Sequence, residues 1–125
     1  MKDTISHVHV MCKDWTRELQ FYQSEIPFFK KRLEEIVADY TSKDILGQVD
    51  HFENKFYIMN NHFDELLQDV KLKEESIMQE ASEKPKYVNV KMIEMDGKLE
   101  DLMTFTAHDF ADTKKEFYQF LSKYL

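Results

Sequence analysis

The chain is poor in the residues that make turns. It holds two glycines, Gly47 and Gly97, and two prolines, Pro27 and Pro85, among 125 residues. An all-β domain of this size needs a turn roughly every ten residues, so the shortage points to few, long helices. Cysteine occurs once, at Cys12, which excludes an intrachain disulfide and fits a reducing compartment. No apolar run approaches the ~20 residues of a membrane span. The start, Met1-Lys2-Asp3-Thr4-Ile5-Ser6-His7, lacks a hydrophobic stretch of signal-peptide length. These absences predict a cytoplasmic protein with no membrane partner, organised as a single helical-bundle domain over residues 1–125.

Basic charge is also in short supply. Lysine and arginine number 17 against 24 acidic residues, a formal net charge of −7. Nucleic-acid binding needs a basic surface that neutralises phosphates. The basic runs Lys30-Lys31-Arg32 and Lys114-Lys115 have Glu34-Glu35 and Glu116 close by and read as mixed-charge solvated faces. No nucleic-acid partner is expected.

Motifs that carry chemistry are missing as well. There is no nucleophile elbow, no glycine-rich phosphate loop and no Cys–His pair in a recognisable setting. Five histidines in an acidic helical chain raise the question of a metal. A di-iron bundle uses Glu-x-x-His pairs, whereas Gln48, Met59 and Phe105 stand three residues before His51, His62 and His108. The zinc-protease spacing is absent too. His108 and Asp112, four apart, share a helix face and are the one candidate pair; His7 and His9 would chelate only if extended. Covalent haem needs Cys-x-x-Cys-His, which a single cysteine excludes. No cofactor, catalytic residue or metal ligand is therefore assigned.

What the chain has in abundance is periodicity. Apolar residues recur at 3–4 spacing through Ile5, Val8, Cys12, Trp15, Leu19, Tyr22, Ile26, Phe29, Leu33, Ile36 and Tyr40, one stripe of a helix. After Thr41-Ser42-Lys43-Asp44, where Ser42 or Asp44 suits an N-cap, a second stripe runs Ile45, Val49, Phe52, Phe56, Met59, Phe63, Leu66, Val70, Lys73 and Ile77. Pro85 suits the first turn of a third helix. Its stripe reads Val88, Met92, Met95, Leu99, Leu102 and Thr106, then shifts by a four-residue step to Phe110, Thr113, Phe117, Phe120 and Tyr124. Such a shift unwinds a heptad repeat locally or marks a break; Thr106 with Asp109 resembles a capping box, placing the break near His108. The fold expected is all-α, an elongated antiparallel up-and-down bundle of three long helices, or four if the third breaks near His108.

Three segments run against this pattern. Residues 5–10 alternate with period two, and residues 87–105 combine the β-branched Tyr87-Val88-Asn89-Val90 with the hairpin dipeptide Asp96-Gly97. Together they allow a small sheet. Pro27 inside the first stripe predicts a kink or break near Ile26, since it takes away the hydrogen bond to the Gln23 carbonyl.

Apolar residues beside the stripes carry the functional expectation. Phe21, Phe28, Tyr57, Phe105 and Tyr118, with Ile58, Leu67 and Leu72, exceed what a three-helix core needs. The reading favoured is a non-enzymatic bundle acting through protein contacts, as adaptor or structural element, by homo-oligomerisation or with another protein. A ligand-binding bundle would instead need a cavity of ~300 Å³ or more lined by Met and Phe, with the Pro27 kink as its place. A metal-dependent enzyme would need His108, Asp112 and distant carboxylates.

Overall fold

A computed structural model describes the backbone of residues 2–83 and 88–125, and side chains over 7–79, 82 and 97–125. Three helices account for nearly all of it: α1 (Lys2–Asp39), α2 (Lys43–Glu83) and α3 (Val88–Tyr124). At ~1.5 Å per residue each is about 55–60 Å long. Contacts between distant residues set their directions. Phe29 meets Phe56 and Tyr22 meets Phe63, so α1 and α2 are antiparallel. Tyr22 meets Phe110, Phe29 meets Phe117 and Tyr40 meets Tyr124, so α1 and α3 run the same way. The chain is an up-down-up bundle of three helices.

The core follows the heptad. Every α1 stripe residue from Val8 to Ile36 is buried except Trp15, which is half-buried against it. On α2 the buried set runs Val49, Phe52, Phe56, Met59, Phe63, Leu66, Val70, Lys73 and Ile77. Steps of four and three alternate throughout, so the buried seam repeats every 3.5 residues, as left-handed supercoiling requires. Lys73 occupies one of these core positions at 2 % exposure, a polar residue in a layer whose neighbours Val70 and Ile77 are apolar. Cys12 is buried among the same small apolar cluster.

Four expectations are corrected or narrowed here. Helix α3 does not break near His108, because its core position is Met103 (3 % exposed) and not Leu102 (41 % exposed). With Met103 in place the buried series Leu99, Met103, Thr106, Phe110, Thr113, Phe117, Phe120 advances by four and three without a shift, so nothing unwinds the helix. Thr106 is buried in mid-helix and caps nothing. No strand forms over residues 5–10 or 88–105, which are helical; Asp96-Gly97 lies inside α3, and no glycine among the described residues has a positive φ. Tyr87 and the proposed helix start at Pro85 lie outside the described residues.

Pro27 sits within α1 without breaking it. The reason is its place on the exposed face. A helix wrapped around a core curves convex toward solvent, where its hydrogen bonds are already longest, so the missing bond falls on the side that bends away. The turn into α2 is three residues long: the Tyr40 amide donates to the Ile36 carbonyl at 3.0 Å, and the Leu46 amide to the Ser42 carbonyl at 3.0 Å. Ser42 therefore stands at the N-cap position, and Asp44 falls in the first turn, where a negative charge suits the helix dipole.

Helices α1 and α2 approach each other most closely, and α3 stands off from both. Ring size explains the difference. Phe52, Phe56 and Phe63 on α2 meet Phe110, Phe117 and Phe120 on α3 ring against ring, at centroid separations of 5.1 to 6.0 Å. On α1 the rings Tyr22 and Phe29, which meet Phe63 and Phe56, alternate with the aliphatic core residues Leu19, Ile26, Leu33 and Ile36, and helix axes separate according to the side chains between them.

Within this core the Tyr22 phenol is held far from its ordinary behaviour. Burial first, and then its hydroxyl donating to the Glu18 carboxylate, push the phenol well above its usual range. The folded state keeps Tyr22 neutral where an unfolded tyrosine ionises, so this contribution is complete below pH ~10 and is lost as pH rises beyond it. Urea midpoints measured from pH 9 to 11 are expected to fall more steeply for the natural chain than for Tyr22→Phe. Parallel curves would mean that the phenol ionises freely in the fold.

Candidate interaction faces

The heptad leaves two flanks on each helix, and the exposed apolar residues lie along them. Phe21 and Phe28 are one heptad apart on α1, and each precedes a core aromatic that packs on α3. Both are exposed, Phe28 at 67 %. Across the seam, Tyr118 of α3 presents an edge to Phe29 at 6.0 Å and is itself about half exposed. Lys114 holds the seam together. Its ammonium donates to both Glu25 oxygens at 2.9 and 3.0 Å and lies 5.7 Å from the Tyr118 ring centroid. The Glu25 and Lys114 charges cancel locally, and Ala111 beside them leaves an open hollow of about 540 Å³. This α1/α3 face is aromatic and nearly neutral.

The α2/α3 seam differs in shape and charge. Three open hollows follow one another along it, the central one of about 450 Å³ walled by Ile58 and Phe105. Its floor is polar: His62 Nε2 lies 3.2 Å from the buried Thr106 hydroxyl, and Lys55 donates to Asp109 at 3.3 Å. Leu72 and Leu102 continue the exposed apolar flank. Five carboxylates line the hollows, on Glu65, Asp69, Asp109, Asp112 and Glu116, against the three ammonium groups of Lys55, Lys73 and Lys98. Wide spacing between α2 and α3 opens the seam, and the acidic residues at its edges give it a negative field.

Most of the apolar excess is thus exposed as expected: Phe21, Phe28, Tyr57, Ile58, Leu72, Phe105 and Tyr118. Leu67 is the exception, half-buried against the main core. The sequence did not show that His62 and Thr106 meet. Their pairing joins residues 44 apart in the chain.

No protein-family model, curated protein or solved structure matches this chain. The site's own geometry carries the functional reading. His108 and Asp112, the candidate metal pair, are both solvent-exposed on α3, and among the described residues no three His, Cys, Asp or Glu side chains converge. His7 is exposed and helical, and His9 Nδ1 pairs with Glu74 across the α1/α2 seam. The level of Pro27 is filled: Phe29 lies 5.1 Å from both Phe56 and Phe117. No helix among the described residues is long and apolar enough to cross a membrane.

Proposed function

We propose that this chain is a non-enzymatic bundle that acts through protein contacts, in an adaptor or structural role, and that it self-associates through the α1/α3 face. One observation supports the reading: Phe21 and Phe28 are exposed one turn to either side of Glu25 on α1, Tyr118 is exposed one turn from Lys114 on α3, and the Glu25–Lys114 pair neutralises the charge between them. Three half-exposed aromatic rings offer on the order of 300 Å², the apolar centre of an interface whose usual size is about 800 Å² per partner. A two-fold arrangement lets the same face meet itself. A cytosolic setting accords with the single buried cysteine.

Light scattering over a concentration series tests it. The expected mass is twice the 15.1 kDa of one chain, and Phe28→Glu is expected to restore a monomer with unchanged helical circular dichroism. Because each chain carries a net charge of −7, added salt should strengthen self-association by screening repulsion. A natural chain that stays monomeric at high concentration overturns the self-association.

A further inference from the structure

The α2/α3 seam carries more carboxylates than ammonium groups, which favours a basic occupant over a second copy of a chain that is itself negative. We infer that it is a docking groove for a basic amphipathic helix of another protein. Three features define the occupant. The apolar wall repeats along the seam: Ile58 and Phe105 line the central hollow, Leu72 lines the next, and Leu102 is exposed one heptad before Asp109 on α3. Ile58 to Leu72 is four turns, ~21 Å, which suits a helix that inserts residues at i, i+3 or i+4, i+7 and i+11.

Charge supplies the second feature. Glu65 and Asp109 line the central hollow, and Asp69 and Asp112 line the hollows on either side. Of the three ammonium groups on the seam, Lys73 and Lys98 both line the Asp69 hollow and Lys55 is engaged by Asp109. The surplus carboxylates are therefore Glu65, Asp112 and Glu116, in the central hollow and the one beyond Lys55. A helix whose apolar stripe is flanked by lysine or arginine completes these carboxylates, whereas an acidic helix is repelled. The third feature is the polar floor. Thr106 and His62 pair with each other across α2 and α3, so an apolar stripe can cover them without leaving either unpartnered.

This groove is separate from the α1/α3 face, so the two ideas stand or fall independently. The test uses the full chain and a labelled peptide of about 18 residues, roughly five turns, with leucines at the stripe positions and lysines beside them. Its control carries glutamates in place of the lysines. Fluorescence anisotropy is expected to show saturable binding of the basic peptide, and affinity about tenfold lower for the acidic control. Binding should also weaken by about tenfold when ionic strength rises from about 0.05 to 0.3 M, as screening shortens below ~10 Å. Phe105→Ser and Ile58→Ser, both at exposed positions that leave the core intact, should each lower affinity severalfold, while Phe28→Glu leaves it unchanged. No binding, equal binding of both peptides, or indifference to Phe105→Ser and Ile58→Ser would overturn the groove; loss with Phe28→Glu alone would move the site to the α1/α3 face.

Discussion

Phe117→Ala is expected to cost about 3–5 kcal/mol, the range for truncating an enclosed aromatic. The ring is fully buried and lies 5.1 Å from Phe29, 5.3 Å from Phe52 and 5.1 Å from Phe56, touching both other helices at once. Its removal leaves a cavity that the surrounding rings cannot close without moving α3 toward α1 or α2, and the Glu25–Lys114 and Lys55–Asp109 pairs resist that shift. For a chain of this length the loss corresponds to a fall in Tm of roughly 4 °C per kcal/mol, so between about 12 and 20 °C. Urea denaturation with the same probe gives the free energy directly. A cost below ~1 kcal/mol would show that α3 does not pack on α1 and α2 through this ring. Phe117→Leu, which keeps most of the volume, should recover the greater part of the loss.

Pro27→Ala is the large effect of opposite sign. Alanine returns an amide that donates to the Gln23 carbonyl and removes the ring's clash with the preceding turn, worth about 3 kcal/mol in a helix interior. The unfolded chain also gains freedom when proline is lost, which offsets about 0.4–1 kcal/mol. A net gain near 2 kcal/mol follows, visible as a higher urea midpoint at unchanged slope. Because residue 27 is exposed, the substitution disturbs no core contact. A lower midpoint would mean that the proline ring is needed to seat Ile26 and Phe29, both buried, against their neighbours. The variant's self-association then reports whether Pro27 also shapes the face that carries Phe28.

Much of the bundle was legible in residue order because a helix carries its burial pattern in its own period. The stripes from Val8 to Ile36 and from Val49 to Ile77 were each read correctly, down to Lys73 at a core position. The connection, expected over Thr41–Asp44, falls at residues 40–42, and the exposure of Phe21, Phe28 and Phe105 followed from their lying off the stripe. In α3 the reading slipped by one residue. Leu102 and Met103 are both apolar neighbours, and hydrophobicity alone prefers neither. Choosing Leu102 created an apparent step that suggested a break, and the weaker capping pair Thr106 and Asp109 lent it support.

Local periodicity determined that the chain is helical, about where the first two helices turn and which side of each faces inward, and it left three helices or four open. Tertiary structure decided the rest, since it depends on what one helix meets on another. Met103 wins its place because Thr106 to Phe110 is a step of four, and a heptad seam needs a step of three before it, which Met103 and not Leu102 supplies. His62 meets Thr106, and Asp109 meets Lys55 and caps nothing, because antiparallel α2 brings residues 44 and 54 positions apart to the same level. The two faces differ for a similar reason: opposed phenylalanines hold α3 away from α2, and which charges then border the opening is settled by the packing of three helices together.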